Sequence, residues 1–302
     1  MRLDTKILII ATFTFLIIYY SFGGLLKVDY SNRFILFLIP LIWPGLAHGS
    51  LDIIIAKKLN IINSKKQEFL FILTYISIAS LIIFLWIVLP NLSLLSFLLV
   101  SAVHFGISDT LSKEKFSFTE MIFRGFLPIS TPIYFYNQET KFIFLKLNST
   151  EFFINYLIKF NNYLFVSLML FAMISLFYIL LKSKTKKNFF TLVEISIIVF
   201  IFFYFDPFSA FCIYFCFFHS LRHLYDEKIE NGVSFLQIIK KTIPLTLIVF
   251  MTSIYFFFFV NIGVEKNKFL PILFITLASL TVPHMILVCI SKSIKNNFKS
   301  NY

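Results

Sequence analysis

The chain of 302 residues is 59% hydrophobic and only 14% charged, with a mean hydropathy of +0.87. A soluble domain carries about a quarter charged residues, so this composition excludes one: the chain would expose too much apolar surface to stay in solution. The net charge of +12 does not call for nucleic acid, because the lysines sit in short clusters between apolar runs, such as "AKKLNIINSKK" and "LKSKTKKN", as positive-inside membrane topology requires.

The start, "MRLDTKILIIATFTFLIIYY", has the basic opening and apolar stretch of a signal peptide. No small-x-small cleavage site follows, so it reads as a retained first span. Apolar runs of about 20 residues place ten spans in all, at 7–22, 34–56, 69–89, 92–108, 121–136, 163–181, 189–205, 208–224, 243–262 and 269–290. The fourth, fifth, seventh and eighth are short, which leaves eight or nine as the alternative count. "PN" at Pro90 and "DP" at Asp206 mark tight turns between paired helices.

Ten spans place both termini and the even-numbered loops on one side. That side holds 18 basic residues, including Lys65, Lys113, Lys115, Lys184, Lys186 and Lys240, against seven on the other, including Lys146 and Lys266. Such a bias marks the richer side as cytoplasmic. The expectation is an all-α polytopic transmembrane helix bundle, one integral-membrane domain over 1–302, in the cell inner (plasma) membrane with both termini cytoplasmic. No internal repeat, soluble domain or low-complexity linker interrupts it.

All five histidines, His48, His104, His219, His223 and His284, fall inside expected spans. Ionisable groups at membrane depth are costly, face the bundle interior and tend to be functional. For one such residue a structural hydrogen bond is an even bet; five with none in the loops is a pattern. The next lysine toward the cytoplasm follows His48, His104 and His219 after nine residues and His284 after eight. At about 1.5 Å per residue these four lie near one level, with His223 one turn lower. Helix bundles build metal sites in this way.

His219 and His223 are spaced i, i+4, one face of a helix, and two such imidazoles can share a metal ion. His48 and Asp52 have the same spacing, which suits a carboxylate that accepts the second N–H of a ligand imidazole. Gly45 and Gly49 beside His48, and Gly106 beside His104, permit close helix approach. Asp109, five residues past His104, is read as a helix-end residue. Arg222 reads as an interfacial anchor that snorkels at least as readily as a catalytic group. Pro283 can open the backbone just before His284.

The cysteines, Cys212, Cys216 and Cys289, all lie in apolar runs and do not suggest a disulfide framework. Cys212, Cys216, His219 and His223 could form a single helical stripe, a rival thiolate site for zinc or copper. Buried cysteines usually behave as small hydrophobes, and one helix cannot close a tetrahedral shell, so this site is discounted.

"GLAHGSLD", "VHFGISD", "HSLRH" and "TVPHM", in this order on separate spans, resemble the Brp/Blh family of membrane β-carotene 15,15′-dioxygenases from about Pro44 to Met285. The resemblance implies a non-haem Fe(2+) enzyme that uses O2 to cleave the central double bond of β-carotene into two retinals, a product that typically serves microbial rhodopsins. It implies His48, His104, His219 and His223 as iron ligands, with no catalytic residue beyond them. Asp52, Arg222 and His284 stand behind the ligands or line the substrate pocket, His284 in that role before a fifth ligand. Two other readings stay open. A histidine-box desaturase or hydroxylase would need more histidines for two irons; a metal or small-molecule transporter would show mid-span acidic residues and a repeated half.

Overall fold

The computed structural model describes residues 3–28, 30–110, 117–182, 186–232, 234–259 and 268–300, without the side chains of 23–32, 48, 117, 176–189, 231 and 292–300. Lys113, Lys115, Lys184 and Lys266, used above for the charge bias, lie outside the described residues, as does the side chain of His48.

The described residues are helical, with no strand among them. In chain order they form α1 (Leu3–Val28), α2 (Tyr30–Pro40), a π-turn (Leu41–Gly45), a 3-10 turn (Leu46–Leu51), α3 (Asp52–Lys58), α4 (Lys65–Val88) and α5 (Pro90–Asp109). There follow α6 (Ser117–Phe135), α7 (Asn137–Lys146), α8 (Glu151–Lys182), α9 (Lys186–Tyr204) and α10 (Pro207–Tyr214). A second π-turn (Phe215–Ser220), α11 (Leu221–Asn231), α12 (Phe235–Phe259) and α13 (Phe269–Ser300) complete the chain.

Among the described residues seven helices are long and apolar enough to cross a membrane: Leu3–Phe22, Arg33–Lys58, Lys65–Val88, Pro90–Asp109, Glu151–Ser175, Phe235–Phe259 and Phe269–Ser291. Phe190–Tyr204 is a shorter apolar helix. The expected spans 121–136 and 208–224 are helical too, but they carry buried Arg124 and Arg222 and are not among the seven. Both expected tight turns are present. One residue separates α4 from Pro90, and Asp206 caps α10 by accepting from Ser209 N at 3.2 Å with Pro207 at the first helical position. Asp206 also pairs with Arg33 at 3.0 Å.

The second expected span is not one regular α-helix. Pro40, Pro44, Gly45 and Gly49 divide it into α2, the π-turn, the 3-10 turn holding His48, and α3. Proline removes a helical donor and clashes with the preceding turn, so the regular α spacing assumed for His48 and Asp52 fails there.

The helices fall into two compact units, Met1–Gly45 with Ser101–Asn231, and Leu46–Val100 with Gly232–Tyr302. In the first, α6 packs against α8 and α9 around Phe123, Leu127 and Leu168. The π-turn at Phe215–Ser220 packs against α1 and the first π-turn. In the second, α13 lies along α4, and α12 covers the 3-10 turn. Large apolar side chains point outward, among them Ile76, Phe84, Met251 and Phe258, the surface a lipid environment requires.

The part of α5 that carries His104 is set by glycine. A Cβ on Gly125 of α6 would lie 2.1 Å from the Ala102 carbonyl oxygen, and one on Gly106 would lie 2.5 Å from that of Met121. Both obstacles are backbone and cannot rotate away. Gly125→Ala should therefore destabilise the protein by about 1–3 kcal/mol, read as a lower midpoint of thermal unfolding in detergent; an unchanged midpoint would refute this close approach.

Candidate metal centre

His104 and His219 meet in the first unit. Their Nε2 atoms are 3.0 Å apart, and the two residues are 2% and 0% exposed. His104 comes from α5 and His219 from the π-turn, whose i→i+5 register adds a residue to the turn. Phe105 packs edge-on against His219 with ring centres 4.8 Å apart, and Phe215 stacks on it at 5.9 Å. The extra residue also breaks the stripe that α spacing would draw through Cys212, Cys216, His219 and His223: His219 is buried and His223 half-buried. Cys212 and Cys216 are buried and unbridged, packed as small hydrophobes.

The second nitrogen of each imidazole is engaged. His219 Nδ1 lies 3.2 Å from Asp109 Oδ1, and Tyr214 donates to Asp109 Oδ2 at 2.6 Å. With Asp109 accepting the Nδ1 proton, Nε2 of His219 carries a lone pair. His104 Nδ1 lies 3.4 Å from Ser108 Oγ. The lone pair on His219 Nε2 can take a proton from His104 or share a metal ion with it. Two imidazole nitrogens each about 2.1 Å from a metal and at right angles are about 3 Å apart, so the observed separation of 3.0 Å matches the spacing of two ligands on one ion.

Asp109 is the last residue of α5, as its reading as a helix-end residue expects. It is 1% exposed and orients His219, a partner on another element that its spacing from His104 does not reveal. Arg222 is a correction to the sequence reading. It is not an interfacial anchor but 1% exposed. Its Nε donates to Asp4 at 2.5 Å, Nη1 to the Asp109 carbonyl at 2.9 Å and Nη2 to Glu194 at 3.0 Å. The guanidinium also stands 4.1 Å over the Phe218 ring. Glu194 accepts in turn from Thr5 and, at 2.7 Å, from Arg124, which binds Glu120 at 2.7 Å. Sequence reasoning did not single out Asp4, Glu120, Arg124 or Glu194. For Arg124 and Glu194 the one signal was charge inside an expected span; Asp4 and Glu120 fall just before theirs.

In the second unit, His284 is 2% exposed and its Nδ1 lies 2.7 Å from Asp52 Oδ1. Tyr75 donates to Asp52 Oδ2 at 3.1 Å. Asp52 thus serves His284 on α13. Among the described residues no three His, Cys, Asp or Glu side chains converge as a metal-holding group; the pair of His104 and His219 is what they assemble.

Removing the carboxylate behind a ligand imidazole typically weakens metal binding 10- to 100-fold. Asp109→Asn should lose divalent-metal affinity by about that factor in equilibrium dialysis, whereas Cys212→Ser with Cys216→Ser should keep it. The reverse result would revive the thiolates and remove Asp109.

A family model described as beta-carotene 15,15'-dioxygenase matches residues 39–290. The chain is 30% identical to the beta-carotene 15,15'-dioxygenase of uncultured marine bacterium 66A03, over 88% of this chain and 94% of that protein. No solved structure matches. The family model spans all five histidines and both buried histidine-backing aspartates, and the chain belongs to the β-carotene 15,15′-dioxygenase family.

Proposed function

We propose that this protein cleaves the central 15,15′ double bond of β-carotene with O2, one oxygen atom entering each of two retinals. Iron(2+) held by His48, His104, His219 and His223 is the cofactor. The observation that carries this reading is the buried His104–His219 pair with Nε2 atoms 3.0 Å apart and Asp109 behind one of them. Two neutral imidazoles suit Fe(2+), and the ion, when bound, supplies the binding and activation of O2.

The chain's own residues do the rest. Asp109 keeps the Nδ1 proton of His219 and so keeps its Nε2 available. Arg222 holds the main chain of Asp109, fixing the end of α5 relative to the π-turn. Phe105, Phe215 and Tyr214 exclude water around His219. The substrate is apolar and enters from the bilayer, which the outward apolar faces of the helices border. We further propose the plasma membrane with cytoplasmic termini as its location, and a microbial rhodopsin as the recipient of retinal.

A transporter reading would use mid-span carboxylates to carry a cation. Here Glu120 and Glu194 are bound by Arg124, and Asp4 and Glu194 by Arg222, an arrangement suited to rigidity. A di-iron desaturase would have to divide five histidines between two irons, too few for a full shell.

The test is purified protein in detergent with β-carotene and O2. Retinal as the sole cleavage product, lost on chelation and restored by Fe(2+), is expected; His104→Ala and His219→Ala should abolish turnover. A longer apocarotenal would refute central cleavage, and turnover that survives complete iron removal would refute the cofactor.

A further inference from the structure

The first and second units contain the same three-residue arrangement, atom for atom. In one, Tyr214 OH donates to Asp109 Oδ2 at 2.6 Å and Asp109 Oδ1 faces His219 Nδ1 at 3.2 Å. In the other, Tyr75 OH donates to Asp52 Oδ2 at 3.1 Å and Asp52 Oδ1 faces His284 Nδ1 at 2.7 Å. Both aspartates and both histidines are at most 2% exposed. The sequence gives no hint of this, since neither triad is local. Tyr75, Asp52 and His284 come from α4, α3 and α13.

A buried imidazole that only packs can be satisfied by one hydroxyl or carbonyl. Burying a carboxylate for that purpose is unfavourable in an apolar bundle, and here a tyrosine also engages the second carboxylate oxygen. Tyr75 is itself fixed, its hydroxyl also lying 3.3 Å from the Leu280 carbonyl oxygen one turn before His284. What a carboxylate on Nδ1 provides is a defined tautomer, a fixed ring plane and a more basic Nε2. Those are the properties of a metal-ligating histidine, which almost always gives its other N–H to such a partner.

We propose that His284 is a metal ligand through Nε2, with Asp52 and Tyr75 as its positioning residues. This rests on the metal-dependent reading above and revises the expected place of His284 in the substrate pocket. It also gives Asp52 a different histidine from the one its sequence spacing suggested.

The experiment uses the full chain in detergent with Co(2+) as a spectroscopic substitute for iron. Stoichiometry and affinity come from dialysis, and coordination from the visible absorption bands. His284→Gly should bind Co(2+) at least about ten-fold more weakly with altered bands, and free imidazole should restore the wild-type spectrum. Asp52→Asn, which preserves side-chain shape, should weaken binding by about 10- to 100-fold, and it provides the answer if the glycine variant does not fold. Wild-type affinity and spectrum in either variant would overturn the proposal while leaving the iron reading intact. A wild-type protein that binds neither Co(2+) nor Fe(2+) would overturn both.

Discussion

Arg222 imposes the constraint around which the first unit is organised. A guanidinium stays charged at any accessible pH and presents five donors, and this one is 1% exposed in a chain built largely of apolar residues. Its charge has to be met from inside the bundle. Asp4 on α1 and Glu194 on α9 meet it, and the Asp109 carbonyl at the end of α5 takes a further donor. Arg124 extends the same network to Glu120 on α6. Removing one member would leave a buried charge uncompensated, a loss of about 3–5 kcal/mol, so the helices that contribute these groups are held to one arrangement.

That arrangement places the histidine pair. Asp109 is fixed at its main chain by Arg222 and at its side chain by Tyr214, and in that position it faces His219. The π-turn carrying His219 and the glycine-mediated approach of α6 to α5 then bring two Nε2 atoms to 3.0 Å. Ionic network, oriented carboxylate and paired imidazoles form one sequence of dependence from fold to chemistry. The second unit repeats its final steps with Tyr75, Asp52 and His284, without a comparable arginine network among the described residues.

The sequence disclosed the helices and their chemistry better than their partnerships. Apolar runs located the helices, and Pro90 and Asp206 located two turns, because these are local signals. The histidine motifs were legible because ionisable residues are conspicuous in an apolar chain. Asp109 was legible as the helix end it is, but not as the partner of His219, which is 110 residues away. Arg222 was misread because proximity to a polar segment looks like an anchor, whereas Asp4 pairs with it across 218 residues. The π-turn at Phe215–Ser220 has no proline or glycine to announce it, and it packs against α1 and the first π-turn, both distant in the chain. The break at His48 was different: Pro40, Pro44, Gly45 and Gly49 signalled it in plain view, and helical spacing was still the wrong ruler for Asp52.

The central claim is that His104 and His219 hold the metal. A structure of the iron-loaded protein with anomalous scattering recorded at the iron edge tests it most directly. An iron peak within about 2.1–2.2 Å of Nε2 of both His104 and His219, with Asp109 still on His219 Nδ1, is the predicted result. Iron bound elsewhere, with the two imidazoles still hydrogen-bonded to each other, would contradict the account.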